Sequence, residues 1–300
     1  MKRTSSHFTD LLSRLPQLIL LTALLLLAGV GTSRLQAEVY EYDLNQNLDT
    51  AYFQVFGNTG GESYSRLTDE GLHIQFESAA QPSIETGIKA RFPLEGDFTL
   101  TGTYEIKQLT KPDQGYGAGA TLRLNEVSGF QAQLKRVWVH NRGNVFKSDW
   151  AFPPPPERSK PGSTSLDHKI KYLKTESQKG KIRLQRTGEE MIWFVSEGDT
   201  EEFQEMRKES FPTGRVYSFE LMAESGRGSA TVDFLWKHLT VETSAPLPDL
   251  TKPETTSAPS SRSPAGSNTS IEDLNWRMIL LVISVLILVG SLVYLIVKKK

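Results

Sequence analysis

The acids best spaced for general acid–base work are Glu41 and Asp43, which alternate in the strand-like run Glu41-Tyr42-Asp43. Glycoside hydrolysis needs an acid and a second carboxylate held at fixed separation across the scissile bond. A Glu-x-Asp-x-x-Glu cluster would present such acids together, but Gln46 stands where the third belongs, and an amide cannot serve as general acid. Glu41 and Asp43 therefore read as ordinary strand-edge groups. Asp43, Asn45, Asn47 and Asp49 alternate as hard oxygen ligands would, yet the glycine and the terminal bidentate Glu of a calcium loop are missing. The chain has no Gly-x-Ser-x-Gly elbow, no His-Glu-x-x-His helix and no Walker-type phosphate loop. The run Gly115-Tyr116-Gly117-Ala118-Gly119-Ala120 has the wrong glycine spacing for a dinucleotide loop and leads into a strand, so it reads as close-packed backbone. These motifs call for no cofactor and no metal.

Binding chemistry has better candidates. Along 130–140, Phe130, Ala132 and Leu134 share one face; continuing that parity would bury Arg136. A bulge would instead turn Val137 and Val139 inward and leave Arg136, Trp138 and His140 facing out. An exposed aromatic flanked by hydrogen-bonding groups can stack on a sugar ring or anchor a protein partner. Trp150 is the fourth candidate, placed ahead of the proline run 153–156 in a long polar loop that extends to about Ser165. Trp193 and Trp236 share parity with apolar neighbours and are expected in the core.

The elements that must position these residues follow from composition and periodicity. The 300 residues carry 34 Lys and Arg against 35 Asp and Glu, a net charge of -1 that removes the electrostatic case for nucleic-acid binding. Hydrophobic residues at 38% and charged ones at 23% describe a folded globular chain. Zero cysteines exclude disulfides, thiolate metal sites and thiol nucleophiles, so any extracytoplasmic domain must stand on its core. Lys2, Arg3 and Arg14 precede an apolar stretch over 18–30, too short to span a bilayer comfortably, which predicts a secretory signal over 1–37. Residues 278–297 are uncharged and long enough to cross the hydrocarbon core, with Lys298, Lys299 and Lys300 behind them. The positive-inside rule then predicts a membrane helix over 276–297 with a cytoplasmic tail at 298–300. Residues 245–275 are rich in Pro, Ser and Thr and read as a stalk.

Between these ends, 38–244 alternates with a period of two. Leu72, Ile74 and Phe76 interleave with His73, Gln75 and Glu77, as do Phe98, Leu100, Gly102, Tyr104 and Ile106 with polar neighbours. Further strands are expected over 121–125, 130–140, 169–174, 181–186, 191–195, 216–223 and 231–241. Tight turns at Thr187-Gly188-Glu189-Glu190 and Ser225-Gly226-Arg227-Gly228 predict hairpins. Thr200 could cap a short helix over 200–208. Many short strands with so little helix predict one antiparallel β-sandwich.

The runs Glu70-Gly71-Leu72-His73-Ile74, Gly96-Asp97-Phe98-Thr99-Leu100, Gly115-Tyr116-Gly117-Ala118-Gly119, Lys181-Ile182-Arg183-Leu184-Gln185-Arg186-Thr187-Gly188 and Val232-Asp233-Phe234 resemble bacterial secreted domains of unknown function. Those domains are similar to concanavalin A-like, laminin G-like jelly rolls. The resemblance covers most of 39–241 and implies sugar or protein binding on a concave sheet or rim loops. Some members of that superfamily are glycoside hydrolases, but the resemblance supplies no catalytic residues. The expected protein is a single-pass membrane protein displaying a binding or structural module outside the cytoplasm, with carbohydrate or protein as ligand. An enzyme acting on polysaccharide is the alternative, and it would require two acids from separated strands to converge about 5 to 10 Å apart in one cleft.

Overall fold

Alternation of side chains organises the chain into strands, and hydrogen-bond pairing sorts them into two sheets. The computed structural model describes residues 37–250 apart from 59, 80–81, 156 and 159–164. The expected signal and membrane segments lie outside the described residues. In chain order the strands are β1 (Glu38–Asp43), β2 (Phe53–Gly57), β3 (Ser65–Thr68), β4 (Gly71–Ser78), β5 (Glu85–Ala90), β6 (Phe98–Leu109), β7 (Ala118–Glu126) and β8 (Gln131–Val139). They continue as β9 (Gly143–Phe152), β10 (Asp167–Lys174), β11 (Lys179–Thr187), β12 (Glu190–Glu197), β13 (Gln204–Ser210), β14 (Val216–Glu224) and β15 (Ala230–Thr243).

The first sheet runs β13-β12-β11-β6-β15-β4-β3, with β1 also paired to β15; the second runs β10-β9-β8-β7-β14-β5-β2. The strand pairings are antiparallel throughout. The core lies between the inner faces and includes Trp193, Trp236, Tyr104, Phe234, Phe92 and Phe219. Both tryptophans expected inside are fully buried and hydrogen-bonded: Trp193 Nε1 donates to the Gln133 carbonyl at 3.0 Å and Trp236 Nε1 to the Met222 carbonyl at 3.3 Å. Burying such a side chain contributes roughly 1.5–3 kcal/mol. The chain stays on the sandwich past β15, where Leu247 and Leu250 pack against the core and the Leu247 N–H donates to the Tyr40 hydroxyl at 3.2 Å.

Two local expectations are corrected. Residues 204–210 form β13 rather than part of a helix, because pairing with β12 captures them and buries Met206. The turn at Ser225-Gly226-Arg227-Gly228 is not a hairpin: β14 pairs with β5 and β7, while β15 pairs with β4 and β6, so this turn carries the chain between sheets. The turn at Thr187–Glu190 does join the hairpin β11–β12.

Candidate functional site: an aromatic cleft at one end of the sandwich

Strand β9 sets the site by parity. Phe146, Ser148 and Trp150 face the core, whereas Val145, Lys147 and Asp149 lie in register with outward residues of β8, Val137, Lys135 and Gln133. Trp150 therefore stands on a strand, not in the expected loop, and the proline run begins only after Phe152. It sits near the strand's end, where the two sheets part. Its ring lies 4.4 Å from Phe152 and 6.1 Å from Phe130, which is in turn 6.2 Å from Phe211. These four aromatics wall a cleft of about 700 Å³, which Glu126, Ser128, Glu189 and the 210–214 segment also line. That volume suits a small ligand held between a few polar groups and apolar walls.

Trp150 is only 8% exposed, and its indole nitrogen, closed to solvent, has no hydrogen-bond partner among the described residues. A buried donor left unpaired costs about 1–3 kcal/mol, so this N–H is a cost to the folded state, and the ring rather than the nitrogen is what Trp150 presents to the cleft. The Lys169 ammonium rests 4.8 Å from the Trp150 ring centre and pairs with Glu209 at 3.3 Å, adding a cation to the aromatic wall. The Glu126 carboxylate accepts from the Ser128 N–H at 2.7 Å and also from the Ser128 hydroxyl, and its other oxygen lies against Gly214. It is used in shaping the loop around the cleft.

The other three candidates lie elsewhere. In the β8–β9 register Ala132 faces Trp150, whereas Trp138 faces Asn144. Six strand residues separate them, about 20 Å at the usual rise. No bulge interrupts β8 in its pairing with β7 or β9, so the parity of Ala132 and Leu134 continues and Arg136 turns inward with 0% exposure. This corrects the outward orientation expected for Arg136. Its guanidinium is satisfied by the Ser177 carbonyl at 2.9 and 3.2 Å and by Asn144 Oδ1 at 3.0 Å, closing the opposite end of the core. Burial pulls Arg136 below its usual range, and the same burial pushes the neighbouring Tyr104 phenol up, which the Arg136 charge partly offsets. Trp138 shares Arg136's parity and is half-buried, while His140 is exposed with Nδ1 3.0 Å from the Pro112 carbonyl.

The outer face of the second sheet is polar yet mostly buried, an arrangement that alternation alone does not reveal. Arg123 Nε donates to Glu220 at 2.5 Å and its guanidinium reaches Glu85 at 3.2 Å. Lys135 donates to Glu224 at 2.5 Å, and Asp149 lies 2.8 Å from His168. Burial works to raise the Glu224 carboxyl, but Lys135 and the Thr121 hydroxyl overcome it and hold it below the usual range. Glu220 and Glu224 share this face on β14, but four residues along a strand place them about 13 Å apart, too far for the two-carboxylate geometry, and each already has a cationic partner.

Two stacked antiparallel sheets closing over an aromatic core, with an end cleft and a charged outer face, define an all-β sandwich domain. The chain belongs to the family described as "Protein of unknown function (DUF1583) C domain", whose model matches residues 31–245. No curated protein matches it. Among solved structures it is similar to the VIP36 exoplasmic/lumenal domain in a Ca2+/Man3GlcNAc-bound form, at 13% identity and TM-score 0.45 over 70% of this chain and 89% of that one. It is likewise similar to a legume lectin-like domain from Entamoeba histolytica, at 9% identity and TM-score 0.45 over 67% of this chain and 95% of that one. Apo Crh5 transglycosylase matches at 10% identity and TM-score 0.45, over 71% of this chain and 87% of the other.

Proposed function

We propose that the chain is a carbohydrate-binding module, displayed outside the cytoplasm on a stalk and a single C-terminal membrane span. The observation that carries the binding reading is the cleft of about 700 Å³ walled by Phe130, Trp150, Phe152 and Phe211. A pyranose has an apolar C–H face that packs on aromatic rings and hydroxyls that pair with polar groups such as Ser128, Glu189 and Ser210, which line this cleft. The cleft's size favours a sugar over a protein partner, since protein interfaces need roughly 800 Å² of surface on each side. No hydrolytic step is part of this reading, because, of the two acids that line the cleft, Glu126 and Glu189, the Glu126 carboxylate is held by Ser128 in shaping the loop. Membrane display rests on the apolar run 278–297 followed by three lysines, with the basic, short apolar segment at the N-terminus acting as export signal.

The test is a glycan array probed with the detergent-solubilised full chain. Retention of a defined glycan that is lost in Trp150→Ala, with the fold intact by circular dichroism, is the expected result. If no glycan on the array is retained, or if none of those retained is lost in Trp150→Ala, the binding reading is overturned. Recovery of the full-length product in the soluble cytosol overturns the display reading.

A further inference from the structure

A second surface, on the outer face of the second sheet, has features the cleft does not explain. Tyr116 is 63% exposed, and the Arg227 guanidinium lies 5.7 Å from its ring centre. Tyr172 carries Arg142 in the same manner at 4.3 Å. Among the described residues neither guanidinium takes part in an ion pair. Both tyrosines flank one buried cation. Lys147 is 3% exposed, faces Tyr172 across the β9–β10 pairing, and makes a single long hydrogen bond of 3.4 Å to the Tyr116 carbonyl. Burial and the neighbouring Lys135 both pull Lys147 below its usual range.

The Tyr116 mount is rigid. Its N–H donates to the Gly226 carbonyl at 2.7 Å. A Cβ on Gly115 would stand 2.1 Å from the Gly226 carbonyl oxygen, and one on Gly226 would stand 2.1 Å from that of Gly117. The two loops thus meet backbone to backbone, which accounts for the glycine run around Tyr116. Arg227 has φ 67°, the one non-glycine residue in that region among those described. Holding a long side chain in that left-handed conformation strains the backbone. The acids on these elements are already engaged: Asp113 accepts from the Ser229 N–H at 2.7 Å, and Glu224 from Lys135 and Thr121.

We propose that this surface binds an acidic polysaccharide, with a pyranose ring on the exposed Tyr116 and carboxylate or sulfate groups on Arg227 and on Arg142, which Tyr172 holds in place. A rigidly mounted, exposed aromatic ring at Tyr116 together with two guanidiniums outside any ion pair favours a ring-bearing anion over an acidic peptide. The site is separate from the Trp150 cleft and stands without it.

The experiment measures binding of the solubilised full chain to immobilised polygalacturonate, chondroitin sulfate, neutral dextran and poly-glutamate. Retention of at least one acidic glycan, weakening with salt, with dextran and poly-glutamate bound at least about tenfold more weakly, is expected. Arg142→Ala with Arg227→Ala should weaken that binding about tenfold or more, as should Tyr116→Ala with Tyr172→Ala, whereas Trp150→Ala should not. The two arginines are exposed, so their replacement leaves the core intact, and an unchanged melting temperature checks this. Failure to bind either acidic glycan, equal binding of dextran or of poly-glutamate, or indifference to the arginine pair overturns the proposal. Loss of binding in Trp150→Ala would also overturn it, by assigning the ligand to the cleft.

Discussion

Lys135 Nζ on β8 lies 2.5 Å from Glu224 Oε1 on β14, reaching across β7, whose Thr121 hydroxyl donates to the same oxygen at 2.7 Å. The lysine is 7% and the glutamate 8% exposed. Removing one partner of such a pair leaves the other charge buried and uncompensated, so Lys135→Met should destabilise the domain by about 3–5 kcal/mol. Lys135→Met combined with Glu224→Met removes both charges and should recover most of the loss. Urea unfolding of the parent, of Lys135→Met and Glu224→Met singly, and of the double variant measures the coupling. If the double variant is no more stable than Lys135→Met alone, the pair is not the source of the loss.

Trp150 separates binding from stability. Trp150→Phe keeps an aromatic wall but deletes the orphaned N–H, trading some packing volume for the relief of an unpaired buried donor. The expected change in unfolding free energy is within about 1 kcal/mol of zero. Glycan affinity should nevertheless fall about tenfold, because the smaller ring gives the sugar less surface to stack on. Calorimetric titration beside thermal melts reads both. A Phe variant that binds as tightly as the parent would show that the sugar does not stack on the indole.

Which parts of this fold were legible in the chain depends on whether local pattern or distant pairing decides them. Period-two alternation located β4, β6, β11 and β15 because each has one apolar face, and Trp193 and Trp236 followed from the same parity. Sheet membership did not follow: the Ser225–Gly228 turn has hairpin chemistry, yet the partners of β14 and β15 come from segments far away in sequence. Residues 204–208 have helical propensity that pairing with β12 overrides. Trp150 was obscured by the prolines behind it, and Lys147, Lys135 and Glu224 by a charge pattern indistinguishable from a solvated face. Their burial depends on neighbours contributed by other strands of the sheet.

Arg136 should behave as a structural residue. Its replacement by Met leaves the Ser177 carbonyl and Asn144 Oδ1 without their donor and empties a fully buried guanidinium site. Losing these charge-assisted bonds should cost about 2–3 kcal/mol. Binding in the Trp150 cleft, at the other end of β8 and β9, should be unaffected at temperatures where the variant remains folded. Chemical denaturation and titration of the same preparation measure the two effects. A stable variant that has lost ligand affinity would return Arg136 to the list of contact residues.

Glu105 provides an acid-sensitive tie on the first sheet. Lys107 at 2.6 Å and Lys237 at 2.5 Å hold its carboxyl down to about 2, against an ordinary value of 4.5. A carboxyl lowered by folding contributes stability above its unfolded-chain value and loses it as the pH falls through the folded one. The contribution should therefore be complete above about pH 5 and vanish progressively toward pH 2. Because the group is partly solvated, about 1–2 kcal/mol is expected rather than the full value of the shift. Glu105→Gln removes the titration, so the stability gap between parent and variant should be widest near neutral pH and close on acidification. Urea unfolding at a series of pH values measures that gap. A gap that stays constant from pH 6 to pH 2.5 would mean that the two lysines do not hold the carboxylate in the folded state.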